Sequence, residues 1–299
     1  MKLAVFYFTQ SGQAFLAAKS ICSSVEKSSS VIYKRIVPQH AYPFPWTKRE
    51  FFDMFPESRL GLPPSGIQPM DIADVTDADL VMIVGQSWFL SLSLPLQSFL
   101  ADEQVRAYLK GRDVVFVNVC RNMWVTTLRS MAETLKNIGA RLVGHVVLQD
   151  RHPNLVSALT IVRWLLHGKK QATCCMPVAG VSDKDITEAQ RFGEVMEHTM
   201  NERQTDQLQD RLTAVGAVEY KPSIAFIEKT GYRLFGPWAR FIRRRGEMGT
   251  PARRFRRSLF YVYLVVALFC ISPFAQLFYW LTRPLRSVHR TRENDCSLT

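Results

Sequence analysis

Short apolar runs recur along the first half of the chain, and helical patterns separate them. The first run, at 2–8, is almost continuously apolar, which is typical of a parallel strand buried on both faces. Four more runs follow at 31–37, 79–85, 113–120 and 141–148. Strands that alternate with helices form a parallel sheet covered on both faces, so the pattern predicts a doubly wound α/β fold with five parallel strands.

Apolar residues at helical spacing fall between and after these runs. A turn at 9–13 leads into a helix whose apolar positions begin at Ala14. Another helix is predicted at 126–138, where Gly139 provides a C-terminal cap. The last helix of the sheet is predicted over 185–207.

Two segments exceed what a minimal sheet of this kind needs. The segment 38–70 is rich in proline and aromatic residues, too long for an ordinary loop and too apolar for a disordered linker. We expect it to form a lid. The segment 152–180 contains a helical pattern at 155–166 and would cover the same end of the sheet.

The positive charge is concentrated near the C-terminus. The net charge is +12, but residues 240–299 contain twelve arginines and three acidic residues, so +9 lies in the tail and +3 in the rest. A near-neutral body disfavours a nucleic-acid partner. Basic residues beside a long apolar run attract anionic headgroups, so the tail is expected to contact membrane lipids.

A long apolar run at 259–281 lacks charged residues and could cross a hydrocarbon core of about 30 Å. We predict a transmembrane or re-entrant helix at 258–282, between a basic amphipathic linker at 209–257 and a basic tail at 283–299. Both flanks are basic, so the positive-inside rule does not choose between spanning and re-entry. A helix buried within the protein is the alternative.

Cysteine usage and the N-terminus indicate the compartment. The six cysteines form no CxxC pair, and no basic region with a cleavable apolar segment begins the chain. We therefore expect free thiols, and a catalytic domain on the cytoplasmic side of the inner membrane. Cys174 and Cys175 are adjacent, which suggests redox chemistry, but a role as small space-filling side chains is favoured. No metal site is predicted.

The 9–13 turn lies where a doubly wound sheet binds its ligand, at the carboxyl end of the first strand. Backbone N–H groups at a helix N-terminus bind phosphate, and Gly12 allows close approach of the backbone. The turn lacks the GxxxxGK[ST] and GxGxxG patterns, which disfavours ATP and a dinucleotide held in the usual way. Ser and Gly are also common capping residues at a helix start.

This turn resembles the FMN phosphate loop of flavodoxins, whose pattern is Thr-x-Ser/Thr-Gly-x-Thr. The residues that carry the resemblance are Thr9, Gln10, Ser11, Gly12 and Gln13. The resemblance implies a flavodoxin-like domain at 1–208, a sheet of order 2-1-3-4-5, and FMN bound through these residues. Ala14 departs from the pattern, because flavodoxins carry a hydroxyl there.

Two later loops match in position the loops that flank the isoalloxazine ring in flavodoxins. Their candidate cofactor-binding residues are Gln86, Ser87, Trp88, Phe89, Cys120, Arg121, Asn122 and Trp124. Stacking would hold the flat ring, which suits Trp88 and Trp124, although core packing is the alternative for both. Arg121 would place positive charge near the reduced ring or bind an acidic cosubstrate, and a solvated surface arginine is its alternative.

Over 1–208 the chain is similar to flavodoxin-like dialkylresorcinol-condensing enzymes. The residues that carry this similarity are Ser11-Gly12-Gln13 and the segments 164–170 and 177–182. That resemblance implies an FMN-dependent oxidoreductase that aromatises a lipophilic dialkyl cyclohexanedione made by a ketosynthase-like partner. A base would remove the proton beside a carbonyl while flavin N5 accepts a hydride. His152, just past the fifth strand, is the candidate base, and a loop histidine in water is its alternative.

Other functions on the same fold stay open. An NAD(P)H-dependent quinone or flavin reductase would use NAD(P)H as a second cofactor, and a flavodoxin-type protoporphyrinogen oxidase is another candidate. Non-enzymatic alternatives are an electron carrier and a membrane scaffold that binds no flavin. Electron-carrying flavodoxins are acidic and lack a large apolar insertion, so the aromatic segment at 38–70 favours an enzyme.

Overall fold

A computed structural model of the chain describes residues 2–271. It contains one sheet whose strands are Lys2–Tyr7 (β1), Ser30–Arg35 (β2), Leu80–Trp88 (β3), Ser91–Leu92 (β4), Asp113–Cys120 (β5) and Arg141–Gln149 (β6). The order is β2-β1-β3-β5-β6, and all neighbours along this path are parallel. The short strand β4 lies off the path and pairs with β3 in antiparallel orientation.

The predicted parallel sheet is confirmed, but its strand count and numbered order differ from the predicted 2-1-3-4-5. The difference comes from β4, a sixth strand formed where the chain folds back on the end of β3. Ser91 and Leu92 are too few to produce a recognisable apolar run. The arrangement is that of a flavodoxin-like α/β fold.

The helices cover both faces of the sheet and add a C-terminal layer. They are Gln13–Val25 (α1), Lys48–Asp53 (α2), Phe55–Leu60 (α3), Leu94–Ala101 (α4), Glu103–Leu109 (α5), Val125–Ile138 (α6), Asn154–His167 (α7), Asp183–Thr187 (α8), Gln190–Asn201 (α9), Leu208–Ala214 (α10), Pro222–Arg243 (α11) and Arg254–Val266 (α12). A π-helical turn, Ala267–Ile271, follows α12.

Each face of the sheet has its own apolar core. On one face Phe6, Phe99 and Phe116 are fully buried with residues of α4, α5 and α6. On the other face Ile21 of α1 and Phe192 of α9 are buried against the strands. Full burial of one such side chain stabilises the fold by roughly 1.5–3 kcal/mol, which explains why the strands are apolar on both faces.

Helices α1 and α9 touch through their backbones. A Cβ atom placed on Gly193 of α9 would lie 1.8 Å from the carbonyl oxygen of Ile21 in α1, so only glycine allows this approach. The hydroxyl of Ser24 donates a hydrogen bond to the carbonyl of Gln190 at 3.3 Å. This contact fixes the position of α1 against the rest of the domain.

The first insertion and the C-terminal helices pack together. Phe52 and Phe55, at α2 and α3, form a buried aromatic cluster with Phe235 of α11 and Phe260 of α12. The rings of Phe55 and Phe260 are stacked with centroids 3.8 Å apart. The segment predicted as a linker, 209–257, includes most of α10, all of α11 and the start of α12. Helix α10 packs on β6 through Leu208 and Leu212.

Buried charges reinforce this contact. The guanidinium of Arg253, which is fully buried, donates two hydrogen bonds to the carboxylate of Glu57 at 3.0 and 2.9 Å. Arg257 donates to Oδ1 of Asp53 at 2.9 Å, and the backbone N–H of Gly249 donates to Oδ2 at 2.6 Å. We call Asp53, Glu57, Arg253 and Arg257 the buried ion cluster. It joins the insertion to the C-terminal helices.

The predicted membrane anchor, and with it the predicted inner-membrane location, is wrong. Across residues 2–271 every helix is too short or too polar to cross a bilayer. The described part of the predicted 258–282 span includes the C-terminal half of α12, where Phe260 is fully buried against protein. The absence of charges in the run led to the wrong prediction, because α12 ends at Val266 and packs on protein through the face that carries Phe260, while Leu259 and Val262 are exposed. The rest of the run and the basic tail at 283–299 lie outside the described residues.

Candidate functional site

The loops that follow β1, β3, β5 and β6 meet at the carboxyl edge of the sheet, because these strands are parallel neighbours. Ligands of doubly wound sheets bind at this edge, where the strand order reverses beside β1. The chain passes from β1 to β2 on one side and β3 lies on the other, so the reversal falls at the 9–13 turn.

The 9–13 turn leaves the N-terminus of α1 open. Gly12 precedes the helix with a φ of 92°, a left-handed conformation that favours glycine. No side chain caps the helix, and its first turn contains no acidic residue. Thr9 Oγ1 is buried and lacks a hydrogen-bond partner within residues 2–271. A buried hydroxyl without a partner beside an uncapped helix N-terminus suits a bound phosphate.

The two glutamines of the turn have partners elsewhere in the protein. Gln10 Nε2 donates to the carbonyl of Pro43 at 2.7 Å. The side-chain amide of Gln13 donates to the carbonyl of Val181 at 2.7 Å and accepts from its N–H at 3.3 Å. These amides therefore tie the turn to the segments around 43 and 181, while Thr9, Ser11 and the backbone of Gly12 are left for an anion.

Aromatic side chains cover the loop after β3. Trp88 makes edge-to-face contacts with Phe8, Tyr42 and Trp46, at centroid distances of 5.9, 5.2 and 5.7 Å. Tyr42 and Trp46 belong to the first insertion. The predicted lid thus lies directly on the tryptophan that was predicted to stack on a flavin ring. Gln86 lies in β3, where its carbonyl accepts a hydrogen bond from Ser93 N–H.

A strained two-residue turn joins β3 to β4. Phe89 and Leu90 have φ values of 48° and 63°, which cost bulky residues roughly 1–3 kcal/mol each. The Phe89 ring packs on Phe51 and Phe55, and the carbonyl of Leu90 accepts a 2.7 Å hydrogen bond from Thr126 Oγ1. Surrounding packing therefore stabilises this conformation, and the Phe89 side chain is part of that packing.

The loop after β5 is polar and hydrogen-bonded to the start of α7. Arg121 donates to both the carbonyl and the side-chain oxygen of Asn154 at 2.9 Å, and Asn122 donates to the same side chain at 3.1 Å. Burial lowers the pKa of Arg121 to about 10, so it stays charged at neutral pH. Cys120 is buried, and burial raises the pKa of its thiol.

The Trp124 side chain is buried in the core, which was the alternative to stacking on a flavin ring. Its ring lies 5.3 Å from that of His145 and 6.3 Å from that of Tyr220. Its backbone N–H donates to Glu228, a fully buried carboxylate of α11 that also accepts a 2.7 Å hydrogen bond from the backbone N–H of Thr126. Burial raises the pKa of Glu228. Sequence reasoning missed this residue because nothing local marks it.

His152 is paired with a buried carboxylate. Its Nδ1 lies 2.7 Å from Asp150 Oδ1, which also accepts the His152 backbone N–H at 2.9 Å. Ser157 Oγ donates to Asp150 Oδ2 at 2.7 Å. The Asp150 side chain is fully buried, whereas 37% of the His152 side chain is exposed. A carboxylate on Nδ1 fixes the tautomer that leaves Nε2 as an acceptor, which suits a general base. Sequence reasoning missed Asp150.

Several solved structures are similar to the chain at low sequence identity. A flavodoxin from the domain Archaea is 15% identical and has a TM-score of 0.38, with 67% of this chain and 99% of that chain covered. A flavoprotein in complex with FMN from Lactobacillus acidophilus NCFM is 19% identical (TM-score 0.39; 49% and 92% covered). An NAD(P)H:quinone oxidoreductase from Methanothermobacter marburgensis is 11% identical (TM-score 0.38; 66% and 96% covered).

These scores are too low to transfer a function to the chain. No family model matches it, and no curated protein sequence matches it. The sheet order and the geometry of the carboxyl edge therefore define the class of protein: a flavodoxin-like α/β domain with an aromatic insertion and a packed C-terminal helical layer.

Proposed function

We propose that the chain is an FMN-dependent oxidoreductase that binds the phosphate of FMN at the 9–13 turn. The observation that carries this proposal is Thr9 Oγ1, a buried hydroxyl without a partner in the described chain, beside the uncapped N-terminus of α1. Thr9, Ser11 and the N–H groups that open α1 would hold the phosphate. FMN, when bound, supplies two-electron redox chemistry through its ring.

Residues around Trp88 would hold the ring. Ser87 donates to Asn118 Oδ1 at 3.1 Å, while Asn118 Nδ2 and Asn122 Oδ1 are buried and lack partners within residues 2–271. Free amide groups at the end of β5 suit recognition of a polar ring edge. Tyr42 and Trp46 cover Trp88, so we propose that this part of the insertion moves aside when the ring binds.

The pair of Asp150 and His152 favours an enzyme over an electron carrier, since electron transfer needs no base. Asp150 orients His152, and Nε2 would accept a proton from a carbon beside a carbonyl. The aromatic insertion suits a lipophilic substrate. The dialkyl cyclohexanedione implied by the resemblance, which a ketosynthase-like enzyme would supply, is the substrate to test first. The alternative is reduction of a quinone by NAD(P)H, in which electrons flow to the substrate and not from it.

The first test identifies the cofactor. We expect the purified protein to bind FMN, and the flavin released by denaturation to co-elute with FMN on a chromatography column. Recovery of FAD, or no binding after FMN is supplied, would contradict the proposal.

Thr9→Val should weaken FMN binding without destabilising the protein. Valine removes a buried hydroxyl that has no partner among residues 2–271, so the free energy of unfolding should stay the same or rise. Loss of one phosphate hydrogen bond should raise the Kd for FMN about tenfold, or about 1.4 kcal/mol. Flavin fluorescence titration and urea unfolding measure the two quantities.

The matched control is Thr199→Val in α9, which removes another buried hydroxyl without a described partner. This variant should bind FMN as the unmodified protein does. An equal Kd for the Thr9 and Thr199 variants would place the phosphate elsewhere.

His152→Gln should leave FMN binding unchanged and slow substrate oxidation at least about 100-fold, because a positioned base contributes that much or more. Single-turnover flavin reduction by the dione, followed by absorbance, measures the rate. His167→Gln, at the exposed end of α7, is the control and should keep full activity. Unchanged turnover in the His152 variant would remove it from the mechanism.

A further inference from the structure

Two cysteines that the proposed function does not use lie side by side on the surface. Cys174 and Cys175 are exposed, and their Sγ atoms are 3.3 Å apart. They occupy the centre of a tight turn between α7 and α8, closed by a 2.8 Å hydrogen bond from Thr173 N–H to the carbonyl of Met176. The turn presents both sulfur atoms to solvent in mutual contact.

Other contacts tie the base of this turn to the protein. The Arg163 guanidinium donates to the carbonyl of Lys169 at 3.1 Å and also to that of Gln171. On the returning side, Ala179 N–H donates to the carbonyl of Lys170 at 2.9 Å. Because both ends are fixed, the turn keeps the two thiols together.

Two other cysteines in the described part of the chain differ from this pair because they are buried. Cys22 and Cys120 are buried, and burial raises the pKa of Cys22 to about 12 and that of Cys120 above its ordinary value. The thiolate is the reactive form of cysteine, so these two are protected both by access and by protonation. Of these four cysteines, Cys174 and Cys175 will therefore react first with a thiol reagent in solution.

We propose that Cys174 and Cys175 form a redox-active vicinal dithiol, which peroxides oxidise to an intramolecular disulfide. The thiolate of one cysteine attacks the O–O bond of hydrogen peroxide, giving a sulfenic acid and, after protonation, water. The second sulfur then displaces the sulfenic hydroxyl, which forms the S–S bond and a second water. The thiols lose two protons and two electrons, and the peroxide gains them.

The product would be easily reduced. Adjacent Cα atoms are about 3.8 Å apart across a trans peptide, below the roughly 4.4–6.8 Å of ordinary disulfides. A bridge between neighbouring residues is therefore strained, and strained, exposed disulfides are the labile ones. The pair is suited to a reversible change of state and not to stapling the fold.

The test uses the full chain with Cys270→Ser and Cys296→Ser, so that the only other thiols are those of the buried Cys22 and Cys120. The protein is treated with hydrogen peroxide, alkylated with iodoacetamide and digested with trypsin. We expect most of the 171–184 peptide, which holds both cysteines, to be lighter by two hydrogens and unalkylated until a dithiol reductant is added. Recovery of that peptide with two alkyl groups, or with separate sulfinic acids, would overturn the proposal.

Single variants supply the control. Cys174→Ser and Cys175→Ser each retain one thiol, so neither 171–184 peptide can lose two hydrogens. Phenylarsine oxide, which binds two thiols at once, should label the reduced pair and resist excess monothiol, and either single variant should bind it at least about tenfold less tightly. Equal retention by pair and single variants would show that the two sulfurs do not act together.

Discussion

Arg253→Met is expected to destabilise the protein by about 3–5 kcal/mol, one of the two largest effects that we predict. Arg253 is fully buried and makes two hydrogen bonds to Glu57, so its removal leaves a buried carboxylate that has lost both of them and keeps Arg243 at 3.6 Å. Urea unfolding followed by tryptophan fluorescence measures the change. The matched control is Arg254→Met, at the exposed neighbouring position, which should change stability by less than about 0.5 kcal/mol.

A second substitution separates charge from packing. Adding Glu57→Gln to Arg253→Met removes the uncompensated carboxylate and should recover part of the lost stability. If the double variant is as unstable as the sum of the two single variants, the charges are not coupled. A small effect of Arg253→Met on its own would show that the buried ion cluster does not hold the C-terminal helices in place.

Acid is expected to destabilise the protein through His145. Burial lowers the pKa of this histidine to about 3, compared with 6.5 in the unfolded chain. Because the folded state favours the neutral form, its contribution to stability is complete above pH 6.5 and is lost progressively as the pH falls toward 3. The loss is about 2 kcal/mol at pH 5 and about 4 kcal/mol at pH 3.

His145→Phe should remove this dependence, because the ring lies in a stacked arrangement with Phe116, 6.0 Å away, where an apolar ring can substitute. The measurement is the free energy of unfolding of both proteins from pH 8 to pH 5. Other titrating groups, including Glu228, affect both proteins alike, so the difference between the two curves isolates His145. Parallel curves would mean that His145 does not drive acid unfolding.

The sheet could be predicted from the sequence because burial on both faces makes the central strands β1, β3 and β5 nearly continuous apolar runs. Helix α6 was located for a similar reason, since its apolar side faces the sheet and Gly139 ends it. The strand β4 has no such signal, because two residues are too few to show a period. Over its described part, 259–271, the 259–281 run gave the wrong prediction, since composition does not distinguish lipid from protein as the partner of an apolar helix face.

The candidate site was predictable only in part. The position of the 9–13 turn followed from the order of strand, turn and helix, and its glycine was recognisable. The partners of the site residues were not, because they are distant in sequence. Glu228, which accepts a hydrogen bond from Thr126, lies 102 residues away in the sequence, and Val181, which accepts one from Gln13, lies 168 residues away. Asp150 lies only two residues from His152, but an isolated Asp-x-His pattern is too common to indicate a base.

The close approach of α9 to α1 couples Gly193 to the 9–13 turn. Gln13 begins α1 and Ile21 lies two turns further along, so any displacement of the helix at Ile21 is transmitted along a rigid rod to its first turn. Gly193→Ala would force such a displacement, because its Cβ would overlap the carbonyl of Ile21. If FMN binds at the 9–13 turn as proposed, a random mutagenesis screen for loss of cofactor would recover position 193, which lies on a different helix from that turn.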